Sequence, residues 1–278
     1  MDVDEVALIA DPRDRAKAIN LLIDEHTEAI NALSPLRKTA IEEMLAGGLT
    51  QQQIADQLEM TRSRVSQILI QHVRAERAFL GTGKLTVAIG SKLEVGRPDP
   101  GGVVSTESFS AFERISELSR SVGLDAASET VPPPGLVNLN RANLVVLTSP
   151  RLLPFVGQVM EADPHLRFAN DEHGWYITDL TAGTEYRSPR DQGELADYGY
   201  VGRLPRPDGK GSFLYLAGVH SQGTLGAAQY VAENIASLYK EVKAKRFSFV
   251  IRCEYEDDVT PHKILSTKLV SPIYRHEG

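Results

Sequence analysis

The residues best suited to chemistry lie in one short run, Thr61-Arg62-Ser63-Arg64-Val65-Ser66-Gln67-Ile68. Guanidinium and carboxamide groups pair bidentately with purine edges, and hydroxyls and arginines bind phosphate oxygens. Placed near the start of a helix, such a set suits insertion into a major groove. Gly47 to Leu69 reads as a helix-turn-helix, with Ile54, Ala55 and Leu58 turned inward from its first helix and Val65, Ile68 and Leu69 from its second. Ala55 is small where the helices must cross. Thr50 caps the first helix, Gln51 to Leu58, and Thr61 caps the second, which runs to about Leu80. The expected DNA contacts are Thr50, Gln51, Thr61, Arg62, Ser63, Arg64, Ser66 and Gln67. The same hairpin could instead serve dimerisation or protein contact. Arg37, Lys38, Arg74 and Arg77 fit solvated surface at least as well as phosphate contact.

A second set of residues sits where short apolar runs end. These are Gly90 and Ser91; Thr148, Ser149, Pro150 and Arg151; and Gly218, His220, Ser221, Gly223 and Thr224. Small and hydroxylated residues at strand exits let backbone N–H groups approach an anion at a helix start. A nucleotide-like or phosphorylated small ligand is the expectation. Gly218 and Gly223 are equally explained by tight turns, and His220 by a buried hydrogen bond. No G-x-G-x-x-G or P-loop pattern is present and no cofactor is expected. Trp175 and Cys253 read first as core residues, with base stacking a secondary reading for Trp175. An enzyme acting on a nucleotide or nucleoside, with the helix-turn-helix as a targeting module, is the alternative. It would draw on His220, Glu233, Asp179 and Asp197, which show no known catalytic spacing, so no catalytic set is assigned.

Around these motifs the hydrophobic periodicity divides the chain. Residues 12–80 are helical in pattern: a stripe of Ala16, Ile19, Leu22, Ile23, Ile30 and Leu33, a restart at Ser34-Pro35, and a stop at Gly47-Gly48. After Gly81-Thr82-Gly83 the pattern changes to short β-branched runs, Leu85–Ile89, Leu144–Leu147, Phe213–Ala217 and Phe247–Ile251. Helical stretches follow at 109–122, 152–160 and 223–242, with a hairpin within 167–186 and a last strand at 264–274. Apolar strands separated by helices indicate a sheet buried on both faces. The expected fold is α/β: an all-α helix-turn-helix domain, 1–83, followed by a Rossmann-like three-layer α/β domain, 84–278.

The run from Thr61 to Ile68, entered through Leu33-Ser34-Pro35-Leu36-Arg37, resembles region four of primary-type sigma factors and the helix-turn-helix of many bacterial regulators. That resemblance, over about 50 residues, implies double-stranded DNA as partner. It does not extend to a promoter-melting domain. A third reading makes the C-terminal domain a protein-interaction platform that contacts RNA polymerase. Asn143-Leu144-Val145-Val146, Asp197-Tyr198-Gly199-Tyr200 and the segment Leu216 to Ala228 resemble a Rossmann-like domain of uncharacterised bacterial proteins, which implies a sensor or effector role. The reading is a transcriptional regulator, working as a homodimer on paired half-sites.

Composition narrows this further. The chain has 278 residues and a net charge of −7, which taken alone argues against a nucleic-acid binder. Divided by segment, residues 1–30 carry −5, residues 31–80 carry +1 and residues 81–278 carry −3, so only the helix-turn-helix block escapes the acidity. With one cysteine, Cys253, no internal disulfide or cysteine-built zinc site can form, and no metal site is expected. The acidic start lacks a signal pattern and no apolar run reaches membrane-spanning length. A cytoplasmic protein without a membrane contact is the expectation.

Overall fold

The structure is a computed structural model that describes residues 3–81, 83–96, 98–243 and 245–276. Thr82 and the side chains of Ile23, Ile30, Ser34, Pro35 and Arg74, named above, lie outside the described set. The chain forms two compact units, Met1–Val73 and Arg74–Gly278.

The first unit contains α1 (Val3–Ala7), α2 (Pro12–Ala46), α3 (Gln51–Gln57) and the start of α4 (Arg62–Leu80). Asp11 caps α2 by accepting the N–H groups of Arg13 and Asp14 at 2.8 and 3.0 Å, and Pro12 occupies the first turn, where its missing donor is harmless. The restart expected at Ser34-Pro35 is absent, since α2 runs through it as one helix of 35 residues. Proline's fixed φ is itself helical, so Pro35 removes one backbone bond and is a local cost of about 3 kcal/mol rather than a necessary stop. Helix α2 ends at Gly47, and Gly48 takes a φ of 93°. Ile41, Ile54, Ala55, Val65 and Ile68 form the buried centre, flanked by Met44, Leu45, Leu49, Met60 and Leu69. Leu58, expected inside, is exposed because it forms the C-cap of α3.

The second unit contains β1 (Leu85–Gly90), β2 (Lys92–Leu93), β3 (Gly102–Val103), α5 (Thr106–Ser121), β4 (Ala126–Val131), β5 (Leu144–Leu147) and α6 (Pro154–Met160). There follow β6 (Leu166–Asp171), β7 (Gly174–Asp179), β8 (Thr184–Arg187), a 3-10 turn at Pro189–Gln192, β9 (Ala196–Pro205) and β10 (Ser212–Gly218). It closes with α7 (Ser221–Val242), β11 (Phe247–Glu256), β12 (Lys263–Leu269) and β13 (Tyr274–Arg275). The main sheet has the order β12-β11-β9-β10-β5-β1-β4, with β13 beside β11. Strands β4, β1, β5 and β10 are mutually parallel, whereas β9 runs antiparallel to both β10 and β11. The result is a mixed α/β fold whose parallel strands end at one edge.

Alternate side chains of the sheet feed two cores. Val87, Val145, Leu216, Phe249 and Ile251 pack with α5 and α7 through Ala111, Ile115, Ala227 and Val231. On the opposite face Val146, Tyr215 and Val250 meet Val156 and Met160 of α6 and Ile177 and Tyr186 of a small three-stranded sheet, β6-β7-β8. Helices were expected on both faces, yet the second is covered largely by this small sheet. The hairpin expected within 167–186 is therefore a three-stranded meander, and the last strand is broken into β12 and β13 at Ser271-Pro272. Strands β4 and β9 carried no clear sequence signal. β4 is a polar edge strand, and β9 contains Gly199 and Gly202, which read as turns. Gly199 is required by packing: a Cβ there would lie 2.4 Å from the Gly223 carbonyl oxygen of α7.

Candidate nucleic-acid interface and strand-end cavity

In the helical unit the hairpin of α3 and α4 is capped at the start of each helix. The Thr50 hydroxyl accepts the Gln53 N–H at 3.3 Å while the Gln53 carboxamide oxygen accepts the Thr50 N–H at 2.9 Å, a reciprocal cap that satisfies otherwise orphaned donors. Thr61 caps α4 by accepting the Arg64 N–H at 3.1 Å, and the Met60 N–H closes the turn on the Ala55 carbonyl at 2.9 Å. Burial of Val65 and Ile68 turns the opposite face of α4 outward. Thr50, Thr61, Arg62, Ser63, Arg64 and Gln67 are exposed, and Gln51 and Ser66 are half-buried. Arg64 donates to the Gln67 carboxamide oxygen at 3.5 Å. Neither Arg62 nor Arg64 has a carboxylate partner among the described residues. By contrast Lys38 pairs with Glu42 at 3.5 Å, which suits solvated surface; Arg37 is exposed and Arg77 half-buried.

In the α/β unit the carboxyl ends of β1, β5 and β10 open onto a cavity of about 350 Å³. Among the residues expected from sequence, Gly90, Thr148, Ser149, Arg151, Gly218, His220, Ser221 and Thr224 line it. Three do not. Ser91 is buried and donates to the Val131 carbonyl at 3.3 Å, Pro150 faces a neighbouring cavity, and Gly223 is a packing residue whose Cβ would lie 2.1 Å from the Tyr198 carbonyl oxygen. Sequence reasoning missed Lys92, Ser105, Ser108 and Arg190. Ser105 had a readable signal, since it precedes an amphipathic helix and caps α5 by accepting the Ser108 N–H at 3.1 Å. The lining carries the cations Lys92, Arg151 and Arg190 and no aspartate or glutamate. Lys92 and Arg151 have no ion-pair partner among the described residues, and Arg190 donates to the Gln222 carboxamide oxygen at 3.0 Å.

The start of α7 differs from the expectation of free backbone donors. Oδ2 of Asp197, a fully buried residue of β9, accepts the N–H groups of His220 and Gly223 at 3.0 and 2.7 Å. A carboxylate of the protein itself thus holds part of this helix end, so attraction for an anion must come mainly from the cationic side chains. Burial pushes the Asp197 carboxyl above its ordinary range, against opposing hydrogen bonds. The His220 ring meets Asp191 at 2.7 Å. Behind the cavity the Ser221 hydroxyl donates to Glu107 at 3.2 Å, Glu107 meets His262 at 2.7 Å, and His262 meets Asp257 at 2.8 Å. Burial acts to raise the Glu107 carboxyl, but its backbone hydrogen bond and His262 hold it below its usual value.

Of the residues named for an enzyme reading, His220 and Asp197 meet through the His220 backbone N–H, and Asp179 and Glu233 have other partners. Asp179 is buried where it accepts the Thr181 and Ala182 N–H groups and the Tyr274 hydroxyl. Glu233 lies on α7 beside Gln229 and Thr267. Among the described residues no group of three His, Cys, Asp or Glu is placed to hold a metal ion, and no helix is long and apolar enough to cross a membrane. Cys253 is buried in β11, and burial pushes its thiol well up.

The family model for Sigma-70, region 4 matches residues 29–75. The matched segment spans the end of α2, all of α3 and most of α4, so this part of the chain is a helix-turn-helix of a DNA-binding kind. No curated protein and no solved structure matches the chain.

Proposed function

We propose that this chain is a transcriptional regulator in which residues 1–83 read duplex DNA and residues 84–278, a Rossmann-like part, take a small phosphorylated or nucleotide-like ligand. The observation that carries the first half is the exposed start of α4, where Arg62 and Arg64 have no carboxylate partner among the described residues, on the hairpin similar to Sigma-70, region 4. Arg62, Arg64 and Gln67 reach base edges, while Thr50, Gln51, Thr61, Ser63 and Ser66 bind the flanking backbone. The same similarity supports a contact with RNA polymerase. Parallel β4-β1-β5-β10 with a cavity at their carboxyl ends supports the Rossmann-like reading. A lining with three cations and no carboxylate, in a chain of net charge −7, supports an anionic ligand.

One head makes few contacts, so the working form is a homodimer, and the ligand alters the separation of its heads. Selection from a random-sequence duplex pool followed by footprinting tests this. The expected outcome is a near-palindrome with half-site centres about 34–36 Å apart. Recovery of no preferred sequence overturns the DNA-reading assignment.

A further inference from the structure

The cationic cavity is not alone at the strand ends. A second one, of about 540 Å³, lies on the other side of the loop that follows β5, lined by Pro150, Met160, Phe168 and Trp175 with the charged Glu161 and Arg167 beside them. Arg151 lines both. The two therefore share a wall: Ser149 and Arg151 face the cationic cavity, Pro150 and Arg151 the one that holds the aromatic rings. Each volume falls within the roughly 300–1,000 Å³ of small-molecule sites. Trp175 and Phe168 lie on the core-facing side of β7 and β6, near the meander edge that meets α6. Both rings are half-buried, so each keeps a surface open to the cavity.

We infer that the two cavities are subsites for one ligand, a nucleotide, with its phosphates among Lys92, Arg151 and Arg190 and its base against Trp175 and Phe168. The inference rests on the anionic ligand proposed above and adds what the ligand's other end must be. A bare polyanion would leave the aromatic cavity empty, and an uncharged aromatic compound would leave the cations unanswered. Arg151 spans the junction where a phosphorylated sugar would pass from one cavity to the other. Stacking tolerates any base, because every base has a π-face, so selectivity among bases is weak on this geometry.

Trp175 is the single tryptophan, which makes its emission a direct report on the second cavity. Calorimetric titration of the full chain with ATP, CTP and inorganic triphosphate, with Trp175 emission followed in parallel, separates the subsites. Each nucleotide is expected to bind about 5–150-fold more tightly than triphosphate, the range that one base stack supplies, and to quench Trp175. Triphosphate should leave the emission unmoved. Trp175→Ala should remove the margin and Trp175→Phe keep most of it, with triphosphate binding equal in both variants and the wild type. Equal binding of nucleotide and triphosphate with unmoved emission overturns the base subsite and leaves the cationic cavity standing. Binding of none of the three overturns the anionic reading and this inference with it.

Discussion

In the helical unit five buried side chains, Ile41, Ile54, Ala55, Val65 and Ile68, hold up an exposed row of polar groups. In the α/β unit two large cores hold polar groups around a hollow. A groove of DNA is read by side chains that protrude from a rigid helix, so a small core and two caps suffice. A small ligand must be surrounded, so the proposed site draws on β1, β2, β5, β10, the 3-10 turn, α5 and α7, which lie far apart along the chain. Charge follows the same division: Arg62 and Arg64 stand on an exposed surface with no carboxylate partner among the described residues, whereas the cavity cations converge from separate segments.

Substitutions in the two cores test whether the units are energetically separable. Ile54→Ala should cost about 2–5 kcal/mol, which a core of five residues cannot absorb. Far-ultraviolet circular dichroism should then show loss of the helical transition and DNA binding should vanish. The Trp175 emission transition of the α/β unit should stay in place; a common shift of both would mean one cooperative structure. Gly223→Ala places a Cβ against the Tyr198 carbonyl and 2.6 Å from the Asp197 carboxylate. Overpacking of this kind costs about 1–3 kcal/mol or more, so the Trp175 transition should move to lower denaturant while the helical transition holds.

Acid should act on the α/β unit in a defined direction. The Glu107 and Asp163 carboxyls are held below their ordinary values of 4.5 and 3.8, where burial is outweighed by hydrogen bonds that include His262 and His276 respectively. A lowered native value gives stability that is complete above the unfolded value and lost as pH falls through the native one. Denaturant midpoints read by Trp175 emission should therefore decline below about pH 4.5, and Glu107→Gln should flatten the upper part of that decline. Asp197, raised by burial, contributes the opposite slope. An unchanged profile in Glu107→Gln would remove the Glu107–His262 contact from the account. The smallest effect is expected from Thr50→Ala, which breaks the reciprocal cap with Gln53 for about 1 kcal/mol and should lower only the helical transition.

How much of each unit could be read in advance follows from the range of its interactions. The α3–α4 hairpin is local: Thr50, Ala55, Thr61 and the run to Ile68 lie within one turn or two of their partners, so spacing alone placed them. Pro35 misled because a proline signal is a local cost that a long helix can carry. In the α/β unit the exits of β1, β5 and β10 were visible as apolar runs ending in small residues, and eight of the residues named from them line the cavity. Arg190 and Lys92 were not visible, since a turn after β8 and a two-residue strand reach the cavity only through tertiary folding. Asp197 was legible only as one of four acid or base candidates and as part of the segment that resembles a Rossmann-like domain. Its role as the buried cap of α7 depends on β9, whose glycines hid the strand itself.

On the proposal above, Arg62 and Arg64 make the helical unit a DNA reader. Binding of the wild type and of Arg62→Ala/Arg64→Ala to the selected duplex, measured across a salt series, tests it most directly. A base contact is worth about 1–3 kcal/mol and each lost phosphate contact lowers the salt slope by about 1. The double variant is expected to bind about 30- to 25,000-fold more weakly, the loss of two base contacts on that scale, and with a shallower salt slope or relaxed sequence preference. Affinity, slope and preference that all match the wild type would contradict it.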